Sequence, residues 1–153
     1  SRIHIEFNNT KIGKMEELYI KGELDRTFII DGFCGPGTLG LLSVLGGAKK
    51  VILNDAWLPA IKNAILNIKV NSKILGVKID FELQDYEKLI GDEPILLATA
   101  EGNAKIMVYH GDVRRLNNVV KECDTCLIDT FPSIDPSEFI HVCRDFARKV
   151  VVI

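Results

Sequence analysis

The chain alternates between short runs that are apolar throughout and longer stretches in which apolar residues recur every three or four positions. Continuous apolar runs fall at 27–31, 51–53, 106–109, 126–129 and 150–153. Runs of this kind suit parallel strands that are covered on both faces. Between them, Ile61, Ala64, Ile65 and Ile68 make an i, i+3, i+4, i+7 stripe, with Pro59 in the first helical turn, where its missing N–H costs little. Leu39, Leu42 and Leu45 fall at helical spacing up to Gly46-Gly47, and helices are expected around 113–121 and 136–147. Near the start, Ile3, Ile5 and Phe7 alternate with His4 and Glu6, which predicts a short strand. Thr10 then caps a helix carrying Ile12, Met15, Leu18 and Tyr19, which Gly22 ends. Val77, Ile79, Phe81 and Leu83 alternate with polar residues and predict a half-buried strand. The stretch from about 74 to 104, punctuated by Gly91, Pro94 and Gly102, reads as an insertion.

Strands alternating with helices argue for a parallel sheet with helices on both faces, and right-handed crossovers favour a doubly wound order 3-2-1-4-5. The 153 residues are the size of a single domain, 1–153, with 1–26 as an N-terminal strand and helix. The last run, Lys149 to Ile153, reads as a buried strand, the expectation for a domain cut from something longer. Composition narrows this further. At 47% hydrophobic and a net charge of −2, the chain is not generally disordered, and no uncharged run is long enough to span a bilayer. A pI near 5.9 leaves no overall basic footprint, so any nucleic-acid contact rests on local patches or another domain. Cys34, Cys123, Cys126 and Cys143 are irregularly spaced and do not form a secreted disulfide framework, which makes a soluble cytoplasmic protein the default. Cys123 and Cys126 form a single CxxC, which lacks the second ligand pair of a structural zinc site, and no metal is expected. Cys126 falls in a buried run and reads as a small core residue. Asn63, Asn67 and Asn71 read as a wet helix face.

The chemistry concentrates in Asp31-Gly32-Phe33-Cys34-Gly35-Pro36-Gly37-Thr38-Leu39-Gly40, between the first sheet strand and a helix. That is the carboxyl edge where doubly wound folds bind ligands. Gly35-x-Gly37-x-x-Gly40 formally satisfies the dinucleotide fingerprint, a weak match by itself. Asp31 changes the balance, because a carboxylate beside the loop repels a pyrophosphate and suits a ligand with cationic groups, such as S-adenosylmethionine. Asp55, 18 residues after Gly37, can accept hydrogen bonds from ribose hydroxyls of either ligand.

In this order the segments resemble those of the class I S-adenosylmethionine-dependent methyltransferases. Asp31 to Gly37 resembles their first motif, Val51-Ile52-Leu53-Asn54-Asp55 their second, and His110-Gly111-Asp112-Val113 the place where an acid meets the adenine amino group. The resemblance implies a Rossmann-like fold and cofactor contacts from Asp31, Phe33, Cys34, Gly35, Gly37, Asp55, Ala56, Asp112 and Val113. Asp112 also reads as a helix N-cap. Ala60, Ala64, Asn67 and Asn71 are similar to a pattern of RNA-modifying members. Asp129-Thr130-Phe131-Pro132-Ser133 is similar to the Asp-Pro-Phe-Gly-Ser loop of the transfer-RNA guanine-N2 methyltransferases, with Thr130 for the first proline and Pro132 for glycine. The resemblance implies that Asp129 holds the target amine and that Phe131 stacks on a flat substrate. Such enzymes normally continue past the fifth strand with a helix and an antiparallel hairpin, which is expected to be absent here.

Four functions remain in play at this level. They are methylation of an RNA base, methylation of a small molecule, a non-catalytic S-adenosylmethionine-binding domain working with a partner subunit, and a nicotinamide-dependent oxidoreductase, which Asp31 disfavours.

Overall fold

In a computed structural model, which describes residues 11–81, 89 and 93–153 and the backbone of 4–7, one sheet of eight strands runs through the molecule. Its strands are β1 (His4–Phe7), β2 (Phe28–Asp31), β3 (Lys50–Asp55), β4 (Lys78–Ile79), β5 (Ile95–Ala100), β6 (Asn103–His110), β7 (Cys123–Ile128) and β8 (Ala147–Val152), in the order β1-β8-β7-β2-β3-β6-β5-β4. The five apolar runs are β2, β3, β6, β7 and β8. They lie in the expected order 3-2-1-4-5 and pair in parallel throughout.

The helices sort onto two faces. On one, α1 (Lys11–Ile20), α2 (Thr38–Leu45) and α3 (Leu58–Val70), followed by the short α4 (Ser72–Leu75), cover a core containing Met15, Leu18, Leu39, Ile61, Ile65 and Ile68. On the other, the 3₁₀ helix Val113–Asn118 and α5 (Ser137–Cys143) cover Ile30, Ile52, Val113, Leu116, Cys126 and Phe146. The α3 stripe is buried as its periodicity predicts. In α2 the buried face is instead Leu39, Gly40, Ser43 and Val44, while Leu45 is exposed. Gly40 decides this rotation, because a β-carbon there would lie 2.1 Å from Leu53 Cδ2, so α2 lays its glycine directly on β3.

Four features differ from the sequence pattern. β1 pairs in parallel with β8, adding a strand beyond the fifth at that edge. The 74–104 stretch carries β4 and β5, which extend the other edge antiparallel to β6. Glu101 (φ 52°) and Gly102 (φ 80°) make the two-residue turn between β5 and β6, both central residues taking the positive φ that a type I′ hairpin needs. Of the alternation at 77–83, only Lys78–Ile79 pairs as a strand; Phe81 is buried, and Leu83 lies outside the described residues, as do Ile3, Thr10 and Gly91. The two late helices are shorter than their pattern, because Cys123 already pairs with Ala147 and draws β8 three residues towards the N-terminus. Gly22 (φ 71°) ends α1 as expected.

Candidate functional site

The carboxyl ends of β2, β3, β6 and β7 meet at one edge of the sheet, and the glycine-rich loop leaves β2 in the middle of it. This segment is pinned on both sides. Gly32 N–H donates to Leu127 O on β7 (2.9 Å), Cys34 N–H donates to Asn54 O on β3 (2.8 Å), and Asn54 Nδ2 donates back to Gly32 O (2.8 Å). Gly37 N–H closes a tight turn onto Cys34 O (2.8 Å), with Gly35 at φ 51° and Gly37 at φ 91°. Both conformations belong to the left-handed region that glycine enters without penalty. Asn67 on α3 donates to Pro36 O (2.8 Å), and Asn71 Nδ2 donates to Asn67 O (2.8 Å). The asparagine stripe is thus a loop anchor as well as a polar helix face, a role that helical spacing alone does not signal.

Asp31 lies fully buried under this loop. Its Oδ2 accepts the N–H of Gly40 in α2 (3.1 Å), while Oδ1 and the equally buried Asn54 Oδ1 have no hydrogen-bond partner among the described residues. Burial pushes its carboxyl up to about 7; the N–H groups of Gly40 and Phe33 oppose the shift, and the charges of Asp129 and Asp55 add to it. The acid therefore acts on the site through the backbone above it and does not present itself at the surface. Cys34 is buried, and desolvation raises its thiol far from the thiolate form.

Asp55 ends β3 on one flank of the loop. One carboxylate oxygen accepts Gly35 N–H (3.0 Å) and the other accepts Trp57 N–H (2.9 Å). Space beside Gly35 is open, with nothing within 4 Å of where a β-carbon would sit. Ala56 is exposed, its carbonyl held by His110 Nε2 at 3.1 Å, and Trp57 stands 66% exposed beside it. Sequence reading passed over Trp57, whose only signal was its place two residues after Asp55. Val113 is buried, 3.2 Å from the β-carbon position of Gly32. Asp112 caps the 3₁₀ helix through Arg114 N–H (2.9 Å) and also pairs with the Arg114 guanidinium, whose hydrogen bonds hold its carboxyl below the usual carboxylate range.

On the other flank, Asp129 follows β7. Its Oδ2 lies 2.7 Å from Lys11 Nζ, from the first turn of α1. Phe131 projects from the next turn, 77% exposed, and Ile134 N–H closes that turn onto Phe131 O (2.9 Å). Phe33 meets Phe139 of α5 edge to face, with centroids 4.7 Å apart. The structure thus gathers Asp31, Phe33, Cys34, Gly35, Gly37 and Asp55 at one loop, with Asp129 and Phe131 to one side. Asp112 is committed to Arg114. Lys11, which no motif marked, reaches Asp129 from the start of α1, the helix that follows β1 at the β8 edge.

No protein-family model and no curated protein significantly matches the chain. Solved structures do. A protein of Pyrococcus horikoshii proposed to be an RNA methyltransferase superposes with a TM-score of 0.60 at 18% identity, over 90% of this chain and 54% of that one. Trm5b from Pyrococcus abyssi matches with a TM-score of 0.57 at 15% identity, over 92% of this chain and 32% of that one. An rRNA methylase from Streptococcus thermophilus matches with a TM-score of 0.54 at 13% identity, over 90% of this chain and 66% of that one. The chain therefore has the class I methyltransferase fold and spans about half the length of the Pyrococcus horikoshii protein.

Proposed function

We propose that this domain binds S-adenosylmethionine and methylates a nitrogen of an RNA base, of the transfer-RNA guanine kind. The observation that carries the reading is the arrangement along one sheet edge: the glycine loop in the centre, Asp55 on one flank and Asp129 on the other. The residues fit the cofactor. The backbone at Gly35 is open to a ligand, Gly37 holds a φ of 91° that disfavours any side chain, Gly40 leaves no room for one, and the unmatched Asp31 Oδ1 puts a polar acceptor beneath the loop. Where that carboxyl is ionised, above about pH 7, its charge opposes a pyrophosphate and so disfavours a dinucleotide.

When bound, the cofactor supplies a methyl group on a sulfonium, an excellent leaving group, so the chain needs to position more than to activate. Asp55 would hold the ribose hydroxyls, each carboxylate oxygen having a lone pair beyond the N–H it already accepts. Gly35 and Gly37 would let the backbone approach, with Phe33, Cys34, Ala56 and Val113 forming the walls. Asp112 would reach the adenine edge while keeping its bonds to Arg114. Asp129 would accept a hydrogen bond from the acceptor amine and aim its lone pair at the methyl, a proximity effect worth up to ~7–11 kcal/mol in well-oriented systems. Lys11 would fix the Asp129 carboxylate, and the exposed ring of Phe131 would stack on the base.

The RNA part of the reading draws on the printed descriptions of the matched proteins and on the exposed aromatic ring beside Asp129. Because the chain carries a net charge of −2, the proposal includes a further domain or partner subunit that recognises the RNA in the cytoplasm. Among the described residues, no helix is long and apolar enough to cross a membrane. Calorimetry with S-adenosylmethionine, S-adenosylhomocysteine and NAD tests the cofactor; binding of NAD alone overturns the reading. Transfer of labelled methyl groups to bulk transfer RNA, ribosomal RNA and small-metabolite pools then separates the substrate classes.

A further inference from the structure

Cys126 in β7 and Cys143 at the end of α5 are both fully buried, and their Sγ atoms lie 2.8 Å apart. The sequence pairs Cys126 with Cys123 in a CxxC, but the fold sets it against a cysteine seventeen positions along the chain. All four cysteines are free thiols. A disulfide has its sulfurs about 2.05 Å apart, so bonding here asks for a movement of only ~0.8 Å shared between two side chains.

We propose that Cys126 and Cys143 are a redox-active pair that closes reversibly to a disulfide. The oxidant is a small-molecule disulfide such as oxidised glutathione. One protein thiolate attacks it, forming a mixed disulfide and releasing one glutathione thiolate; the second protein thiolate then displaces the other. The two protein thiols lose two electrons and two protons, and one oxidised glutathione becomes two glutathiones. Access comes from α5, which has seven residues, too few to hold together without its packing. Ser137, Glu138 and His141 already face solvent, so lifting this helix frees Cys143 and opens one side of the core around Cys126. The hydrogen bond with Cys143 and then desolvation keep the Cys126 thiol protonated, so closure follows opening of the helix and is slow in its absence.

The ring closed by the bond contains Asp129 and Phe131, and oxidation therefore restrains the segment between β7 and α5 that carries both. An effect of this restraint on methyl transfer rests on the proposed function, whereas formation of the bond does not.

The test is incubation of the folded protein with oxidised glutathione, followed by alkylation, denaturation and thiol counting. The expected result is a fall from four thiols to two and a loss of about 2 Da. Proteolysis after Glu138 should leave the fragments carrying Cys126 and Cys143 joined until reduction. Cys123→Ser should preserve the link and Cys143→Ala should abolish it. Four persistent thiols, a bond through Cys123 or Cys34, or arrest at the glutathione adduct would each overturn the proposal. If the bond forms and neither redox state transfers methyl groups, the functional reading fails while the thiol pair stands.

Discussion

Lys11 Nζ lies 2.7 Å from Asp129 Oδ2, linking the first turn of the first helix to the loop that follows the seventh strand. Asp129 is mostly covered, with its side chain 14% exposed, whereas Lys11 is 62% exposed. An ion pair this open adds little to stability, on the order of 0–1 kcal/mol. Its value is geometric: it holds one carboxylate oxygen and leaves the other available. Lys11→Met is therefore expected to change the unfolding midpoint in urea only slightly while lowering the turnover number for methyl transfer. An unchanged turnover would remove Lys11 from the site.

Asp129→Ala removes the proposed acceptor for the substrate amine. Transfer should fall on the order of 100-fold, the scale of losing one well-placed orienting contact. S-adenosylmethionine affinity, measured by calorimetry, should stay near the parent value, since Asp55 and the loop are untouched. Equal losses in both quantities would mean that Asp129 serves the cofactor or the fold.

Asp55→Ala should act in the opposite sense. It strips a charged acceptor from Gly35 N–H and Trp57 N–H and from the proposed ribose contact. Hydrogen bonds to a charged group are worth roughly 1.5–3 kcal/mol, so affinity for S-adenosylmethionine should weaken about 10- to 100-fold. Full affinity in this variant would sink the assignment of the cofactor to this flank.

The buried Asp31 makes stability depend on pH. Its folded value of about 7 stands above the ordinary value of 3.8, so the folded protein keeps a proton that the unfolded chain releases. This contribution is fully present below pH 3.8 and is lost as pH rises through 7. The loss is at most on the order of a few kcal/mol. Asp31→Asn, which keeps an acceptor for Gly40 N–H, should flatten the difference in unfolding free energy between pH 4 and 7 when both proteins are titrated in urea. Parallel curves for the two proteins would show that Asp31 is not the group responsible.

Two glycines, one in the loop and one in α2, should fail for different reasons. Gly40→Ala places a methyl group 2.1 Å from Leu53 Cδ2, and Leu53 is fully buried with little room to yield, so overpacking of about 1–3 kcal/mol is expected. Gly35→Ala meets nothing within 4 Å, but φ 51° costs an alanine roughly 1–2 kcal/mol. Urea denaturation should register both losses, and crystal structures of the variants should show α2 shifted from β3 only in the first.

The local signals were strong where burial is continuous. β2, β3, β6, β7 and β8 were legible because a central parallel strand carries a continuous apolar run, and their order followed from the handedness of the crossovers. The glycine loop and Asp55 were legible because tight turns and close backbone approach restrict residue type. The edges were not. β4 pairs over two residues, and the β5–β6 turn uses Glu101-Gly102, a weaker hairpin cue than Asn-Gly.

The sequence by itself determined the five central strands, the place of the glycine loop and the types of side chain gathered around it, because these depend mainly on neighbours within a few residues. Only the tertiary structure decided what those side chains touch. It buried Asp31 under the loop, bound Asp112 to Arg114, brought Lys11 to Asp129 and set Cys126 against Cys143. Each of these outcomes turns on where distant segments cross, and neither periodicity nor spacing along one strand or helix carries that distance.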